Sequence, residues 1–372
     1  MSTVFRSVRR LVRLPASRFR RFFGGRMTLV RSYVYDWSRF SKHACPFRDF
    51  TENASRLAYI QMMAHSIEKG LALPARRPAF GESKIRMLMS ELSILGAEIS
   101  QHQETRAAVA ALGSYAEFNR SAGAPVHYVE SFLSECGVKE SERIESRPCG
   151  GVVETSREQV LADAQIDLSA FFESRYSIRQ FSDVPIDIEL IREAVRMSQK
   201  TPSVCNRQSA RVYVFDNRSV GSSVRECQNG NRGFGHMADK ILVVTSDLQS
   251  FLSVGERNQC WIDGGMFAMS LVYSLHSLGL GTCCLNWAVE QDADMKLRTV
   301  AGIPQSENII MLIAVGNLPE RFTVARSQRK PLEEILRDRT ETALNLDDRP
   351  ASSREGEPEH RAEAQVPAWL SQ

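Results

Sequence analysis

The sequence predicts an α+β protein in which an all-helical N-terminal domain precedes a domain that mixes strands with helices. Two observations carry this. From Tyr33 to about Lys139 apolar residues recur at three- and four-residue steps with no convincing strand. Beyond residue 166, the β-branched and aromatic runs Val212-Tyr213-Val214-Phe215, Ile241-Leu242-Val243-Val244 and 309–315 alternate with amphipathic helices. A chain of 372 residues can bury a large core, and its length fits two or three domains. The organisation read from it is a basic amphipathic arm (1–32), a helical domain (33–139), a linker (140–165), the strand-containing domain (166–338) and a disordered tail (339–372).

In the arm, Val4, Phe5, Val8, Leu11 and Val12 fall on one helical face, with Arg6, Arg9, Arg10 and Arg13 on the other, until Pro15 interrupts. Phe19, Phe22 and Phe23 repeat the mixture before Gly24-Gly25. Nine Arg precede the first acid, Asp36, so residues 1–31 suit an anionic membrane surface or an organellar transit peptide, with a plain basic tail as the bland reading. No recognised nucleic-acid module follows, so no nucleic-acid partner is expected. The formal net charge of +3 says little by itself, and no apolar run is long enough to span a bilayer. Eight Cys without a CxxC pair or a secretory leader read as reduced thiols in a cytoplasmic protein.

Four helices are expected in the next segment. Leu57, Ile60, Met63, Ala64 and Ile67 define the first, which Gly70 stops, with Pro74 and Pro78 in the loop beyond. Ile85, Leu88, Met89, Leu92, Leu95 and Ile99 define the second, Ala108, Ala111, Leu112 and Tyr115 the third, and Val129, Phe132, Leu133 and Cys136 the fourth. His65 and Glu68, one turn apart, read as a surface or interface pair, because no third ligand is visible and no metal site is expected. Residues 140–165, around Pro148-Cys149-Gly150-Gly151, are charged and weakly periodic. Pro185-Ile186-Asp187 then opens a helix with Leu190, Ile191, Ala194, Val195 and Met197 as its apolar positions and Asp187 as its N-cap. Gly233-Phe234-Gly235-His236-Met237-Ala238 matches a dinucleotide fingerprint formally, but a strand follows it where that fingerprint needs a helix, so it is rejected. Residues 259–278 read as the longest buried helix, apolar on nearly all faces, with Met266, Met269, Val272, Tyr273 and Leu275 inward, ended by Gly279-Leu280-Gly281. Cys283 and Cys284 read as buried thiols. Trp369-Leu370 is a candidate docking tip within the tail.

Two stretches carry candidate chemistry. Arg175-Tyr176-Ser177-Ile178-Arg179 sets two guanidiniums and a hydroxyl within five residues, which suits a phosphate, since a guanidinium fork matches its oxygens. Thr201-Pro202-Ser203-Val204-Cys205-Asn206-Arg207-Gln208 presents Ser, Asn and Gln on a rigid turn, which suits the edge of a flat heteroaromatic. Taken singly, each is more often a solvated turn.

Their order, Arg-x-Ser-x-Arg-x-Phe, a helix, then Pro-Ser-x-x-Asn-x-Gln, resembles the FMN-dependent nitroreductase family. Ser277-Leu278-Gly279-Leu280-Gly281-Thr282-Cys283 resembles that family's Gly turn beside the flavin. Gly302-Ile303-Pro304 through Ala314-Val315-Gly316 resembles its final core strand, and Arg326-Ser327-Gln328-Arg329-Lys330 its last phosphate contact. The resemblance covers about half the chain, from Ile166 to Asp338, and His65 to Gly81 resembles extensions of nitroreductase-like proteins encoded with bacterial polysaccharide genes.

The resemblance implies a nitroreductase-like central β-sheet flanked by helices, and a homodimer with FMN at its interface. Arg175, Ser177 and Arg179 would bind the FMN phosphate, with Arg329 and Lys330 closing the charge. Pro202, Ser203 and Asn206, with Gln208 alongside, would reach the ring from the other subunit. Gly281 and Thr282 would lie beside the ring, and backbone N–H groups near Cys283 and Cys284 would face flavin N5. The implied reaction is ping-pong: NAD(P)H as co-substrate donates hydride, and a nitro, quinone or enone acceptor takes the electrons. Two departures stand out. Tyr176 replaces a basic residue common in the family, and Ser209-Ala210 replaces a frequent Pro-Trp, which would shrink the wall of the site. Two other readings are a regulatory or scaffolding protein in bacterial surface-polysaccharide biosynthesis, and an enzyme held peripherally at the inner membrane surface through residues 1–31 and acting on a lipid-linked substrate.

Overall fold

The structure, a computed structural model, describes residues 16–340 except 48, 51 and 137–149. The apolar positions expected in the arm from Val4 to Val12, the breaker Pro15, the centre of the expected linker and the tail with Trp369-Leu370 lie outside those residues. The described residues divide into two units, one ending at Ala325 and the other beginning at Arg326.

Helix α1 spans Ala16–His43 and runs through both Gly24-Gly25 and the expected boundary at residue 32. Helices α2 (Asn53–Leu71), α3 (Glu82–Leu95), α4 (Gln103–Ser121) and α5 (His127–Glu135) follow the sequence periodicity closely. They enclose one core, in which Ile60, Ile67, Leu88, Leu92, Leu112, Tyr115 and Leu133 are buried. Each such side chain contributes on the order of 2 kcal/mol relative to leaving it in water. Helix α2 ends at Leu71, one residue past the expected stop at Gly70. The role of Gly70 is steric: a Cβ there would lie 2.2 Å from the Phe80 ring, which stacks edge-on against Tyr115.

Short helices α6 (Arg157–Asp163) and α7 (Leu168–Ser174) precede α8 (Ile188–Ser198). Asp187 caps α8 as expected, accepting the Glu189 N–H at 3.0 Å. Met197 is exposed rather than core-facing.

The sheet comprises β1 (Ala210–Asp216), β2 (Lys240–Asp247), β3 (Leu280–Asn286) and β4 (Glu307–Asn317), all antiparallel in the order β1-β2-β4-β3. Period-two alternation divides its faces. Leu242, Val244, Ile313 and Val315 pack with α8 and with α10 (Gln259–Ser277). Ile241, Val243, Leu312 and Ala314 pack on the other side with Val224 of α9 (Val220–Glu226) and Leu297 of α11 (Gln291–Ala301). The rejected fingerprint indeed runs through a single 3-10 turn into β2.

Helix α10 departs from expectation. Its 19 residues equal the length of α2 and α4, and Met266, expected inward, is exposed together with Trp261 and Ile262, while Asp263 is buried within. Its C-terminal cap agrees with the sequence: Gly279, at φ +79°, takes the left-handed conformation and donates its N–H to the His276 carbonyl.

Candidate functional site

Residues 175–182 run in extended form along the outer edge of β3. Ser177 bridges Thr282 in parallel fashion, and the Ile178 N–H donates to the Thr282 carbonyl at 2.8 Å. The segment is pinned by burial of Ile178 and Phe181 and by Ser182 N–H to Asn317 O at 2.9 Å. Gly316 makes room for it, since a Cβ there would lie 2.5 Å from Phe181 Cδ1. Alternation then leaves Arg175 half-buried, Ser177 half-buried and Arg179 exposed. Neither guanidinium has a carboxylate partner among the described residues. Arg179 makes a long contact to the Ser177 carbonyl, 3.4 Å, and sits 5.8 Å from the Phe234 ring centroid. Two cations on one short segment, without a carboxylate partner, suit a doubly charged oxyanion.

These guanidiniums also act on the neighbouring groups. Burial pushes the Cys283 thiol pKa up, with Arg179 pulling the other way, and desolvation raises Cys284 against the influence of Arg175. Cys283 is buried as expected, but Cys284 is exposed. By strand alternation the Cys284 N–H shares the outer edge with the Thr282 carbonyl. His276 is held below the usual imidazole range by burial and then by Arg175, and its Nε2 lies 2.8 Å from Ser174 Oγ. Gly281 and Thr282 are themselves buried, and the close approach to Gly281 is made by Ile178 and Leu318 side chains.

The second stretch is a strained loop. Cys205, Asn206 and Gln208 have φ of 48°, 55° and 50°, each costing on the order of 1–3 kcal/mol for a non-glycine residue. Three supports hold it. Ser203 Oγ accepts the Gln208 N–H at 3.0 Å, and Asp263 of α10 accepts the Val204 N–H at 3.1 Å. Arg207, with a fully buried side chain, forms a bidentate pair with Glu256 at 2.6 and 3.1 Å and donates Nε to the Val204 carbonyl. The sequence reading missed Arg207, Glu256 and Asp263 as this framework, because nothing local pairs an Arg with a Glu 49 residues away. Pro202 and Gln208 are left exposed and Asn206 half-buried. Ser209 is buried, with its Oγ 2.8 Å from Ser246 Oγ, and with Ala210 it lines a cavity beside the loop.

The two stretches do not meet within one chain. Thr282 pairs with Val315, Val315 with Lys240, and Lys240 with Asp216, at the far end of β1 from Ala210 where the loop enters. The loop and the Arg pair therefore occupy diagonally opposite corners of the sheet, about four strand spacings and six residues of strand apart, roughly 28 Å. The loop instead borders a cavity of 1060 Å³ whose far wall is the helical half, including Gln61 of α2 and Glu104 of α4, with Arg192 and Arg196 of α8 between. Gln61 is a buried residue whose amide has no hydrogen-bond partner among the described residues, so it is left to the cavity.

The remaining predicted residues fall elsewhere. Arg329 and Lys330 belong to the second unit, where Arg329 donates to the Ser327 carbonyl and Lys330 pairs with Glu334 at 3.1 Å. His65 does pair with Glu68, at 3.5 Å, and Glu68 also accepts the Gly151 N–H at 3.0 Å, tying α2 to the residues before α6. No group of three metal-ligating side chains occurs among the described residues.

Compared with known proteins, residues 172–317 match the model of the nitroreductase family. No curated protein matches the chain. Among solved structures, the chain is similar to an NADH dehydrogenase/NAD(P)H nitroreductase of Parabacteroides distasonis, with 18% identity and a TM-score of 0.41 over 47% of this chain and 99% of that one. It is similar to a nitroreductase of Desulfovibrio desulfuricans in complex with FMN, with 20% identity and a TM-score of 0.41 over 47% and 98% of the two chains. An FMN-dependent nitroreductase of Clostridium difficile has 22% identity and a TM-score of 0.36, over 42% and 90%.

Proposed function

We propose, because residues 172–317 match the nitroreductase family model, that the protein is an FMN-dependent oxidoreductase, using NADH or NADPH to reduce a nitro, quinone or enone acceptor by a ping-pong hydride mechanism. The observation that carries this reading is the unpartnered pair Arg175 and Arg179, set about Ser177 along the edge of β3. That donor set fits the phosphate of a mononucleotide, and the Cys284 N–H on the same edge would offer a fixed dipole to developing negative charge. FMN, when bound, would supply the electron chemistry.

The diagonal separation of the two stretches supports a homodimer. A two-fold partner can bring the loop of one subunit to the Arg pair of the other, which no single chain can do. Pro202, Ser203, Asn206 and Gln208 would then orient the cofactor ring, held in place by the Arg207–Glu256 pair. The adjoining cavity would take the acceptor, with the Gln61 amide as one hydrogen-bonding group in its wall.

The test is anaerobic titration of the purified protein. A yellow protein whose visible flavin band bleaches with NADH or NADPH, and recovers on adding a quinone, is the expected outcome. A protein that takes up no FMN, or keeps its colour after both donors, refutes it.

A further inference from the structure

Helix α1 is amphipathic the wrong way round. Its inward positions Arg31, Tyr35 and Arg39, one turn apart, hold it to the protein through polar contacts, and at its C-terminal end Phe40 packs inward on the cluster of Leu248 and Phe251. Arg31 donates Nε to the Gln291 side chain at 2.8 Å and pairs with Asp292. The Tyr35 hydroxyl donates to Asp294 Oδ2 at 2.7 Å, and Arg39 donates Nε and Nη2 to the Gln305 carbonyl at 3.0 and 2.9 Å. Its outward positions are apolar. Met27, Val30, Val34 and Trp37, at steps of three and four, are 68%, 57%, 53% and 68% exposed, with Tyr33 beside them at 68%. These five residues make a continuous stripe about 15 Å long.

A soluble surface helix buries its apolar face and wets its polar one. Here the arrangement is reversed, so the stripe is left for something other than this chain's own core. We propose that the outward face of α1 lies on an anionic lipid surface, with its apolar side chains entering the headgroup boundary and the positive charge of its N-terminal half drawn to the lipid phosphates. Charge favours this occupant over a second copy of the chain. Arg18, Arg20, Arg21 and Arg26 fall in the first half of the same helix, and no acid precedes Asp36. Two such helices side by side would repel, whereas a negatively charged bilayer attracts both. Trp37 and Tyr33 are residue types that settle at the membrane–water boundary. The polar anchors fix the helix to the body, so the whole protein would ride on the surface. No described helix is long and apolar enough to cross a membrane, which fits an element lying flat.

The test is sedimentation of the full chain with vesicles of phosphatidylcholine mixed with phosphatidylglycerol, and with phosphatidylcholine alone, comparing wild type with the double variant Val30→Ser, Trp37→Ser. Both positions are exposed, so the variant folds, which far-ultraviolet circular dichroism checks. Wild type is expected to sediment with the mixed vesicles, and the variant to partition at least about tenfold less. Raising the salt from about 0.1 M to about 1 M should release most of the wild type, since the headgroup attraction is screened. Wild type that stays in the supernatant, or a variant that sediments equally, overturns the proposal. So does a variant whose only change is a smaller size in gel filtration without lipid, because the stripe would then belong to an interface between copies.

Discussion

Replacing Arg175 and Arg179 together by Ala tests the proposed cofactor grip most directly. A hydrogen-bonded contact to a charged group contributes about 1.5–3 kcal/mol. Two independent contacts would supply about 3–6 kcal/mol, or roughly a hundredfold to ten-thousandfold in FMN affinity. Because both guanidiniums would serve one phosphate, the effects overlap and the lower end is expected. The fold should be indifferent to the change. Arg179 is exposed, neither residue has a carboxylate partner among the described residues, and such substitutions usually stay within about 0.5 kcal/mol. The assay is quenching of flavin fluorescence as apoprotein is titrated into FMN, alongside a urea curve for each variant. Lys at both positions should fall between, since it keeps the charge and loses the fork. A double Ala variant that binds FMN within about threefold of wild type, with an unchanged urea midpoint, would refute the reasoning.

Other perturbations probe the supports. Glu256→Gln leaves the fully buried Arg207 side chain without its counter-charge, and should cost about 3–5 kcal/mol, read as a lower urea midpoint; an unchanged midpoint would show that the loop does not depend on this pair. At Asp294, burial works to raise the pKa, but Arg298, Trp287 and Tyr35 hold it below the ordinary value of 3.8. A depressed carboxylate contributes stability that is present above its unfolded pKa and lost as pH falls through the folded one, so stability should decline below about pH 4. Asp294→Asn should flatten that decline, and an identical acid limb in wild type and variant would remove Asp294 as its cause. Gly316→Ala drives a methyl against Phe181 and should cost about 1–3 kcal/mol, together with weaker FMN retention because Phe181 pins the segment bearing Arg179; destabilisation with full FMN retention would separate the two.

The difference between what was legible and what was not follows the range of the interactions. The helices of the N-terminal half and three of the four strands were readable, because apolar side chains at steps of three and four or of two must share a face whatever they pack against, whereas β3, which follows the Gly279 cap directly, was read only as a turn. The Asp187 cap and the left-handed Gly279 were readable for a similar reason, since each is decided within a few residues. Gly70 marked the end of α2 to within one residue, but the steric reason for it was hidden, because Phe80, the partner that requires it, approaches from the next loop. The buried Arg207, the exposed flank of α10 and the polar inward face of α1 were hidden by the same limit.

Residue order alone determined that two guanidiniums and a hydroxyl fall within five residues, and that a Ser, an Asn and a Gln share one turn. Only the tertiary structure decided that these groups stand at opposite corners of a sheet, and that α1 turns its apolar side outward. Strand order and helix docking arise from pairings between residues tens to hundreds of positions apart, such as Thr282 with Val315 and Tyr35 with Asp294. No local pattern encodes those partners, because each is selected by the complementarity of surfaces that exist only once the chain has folded.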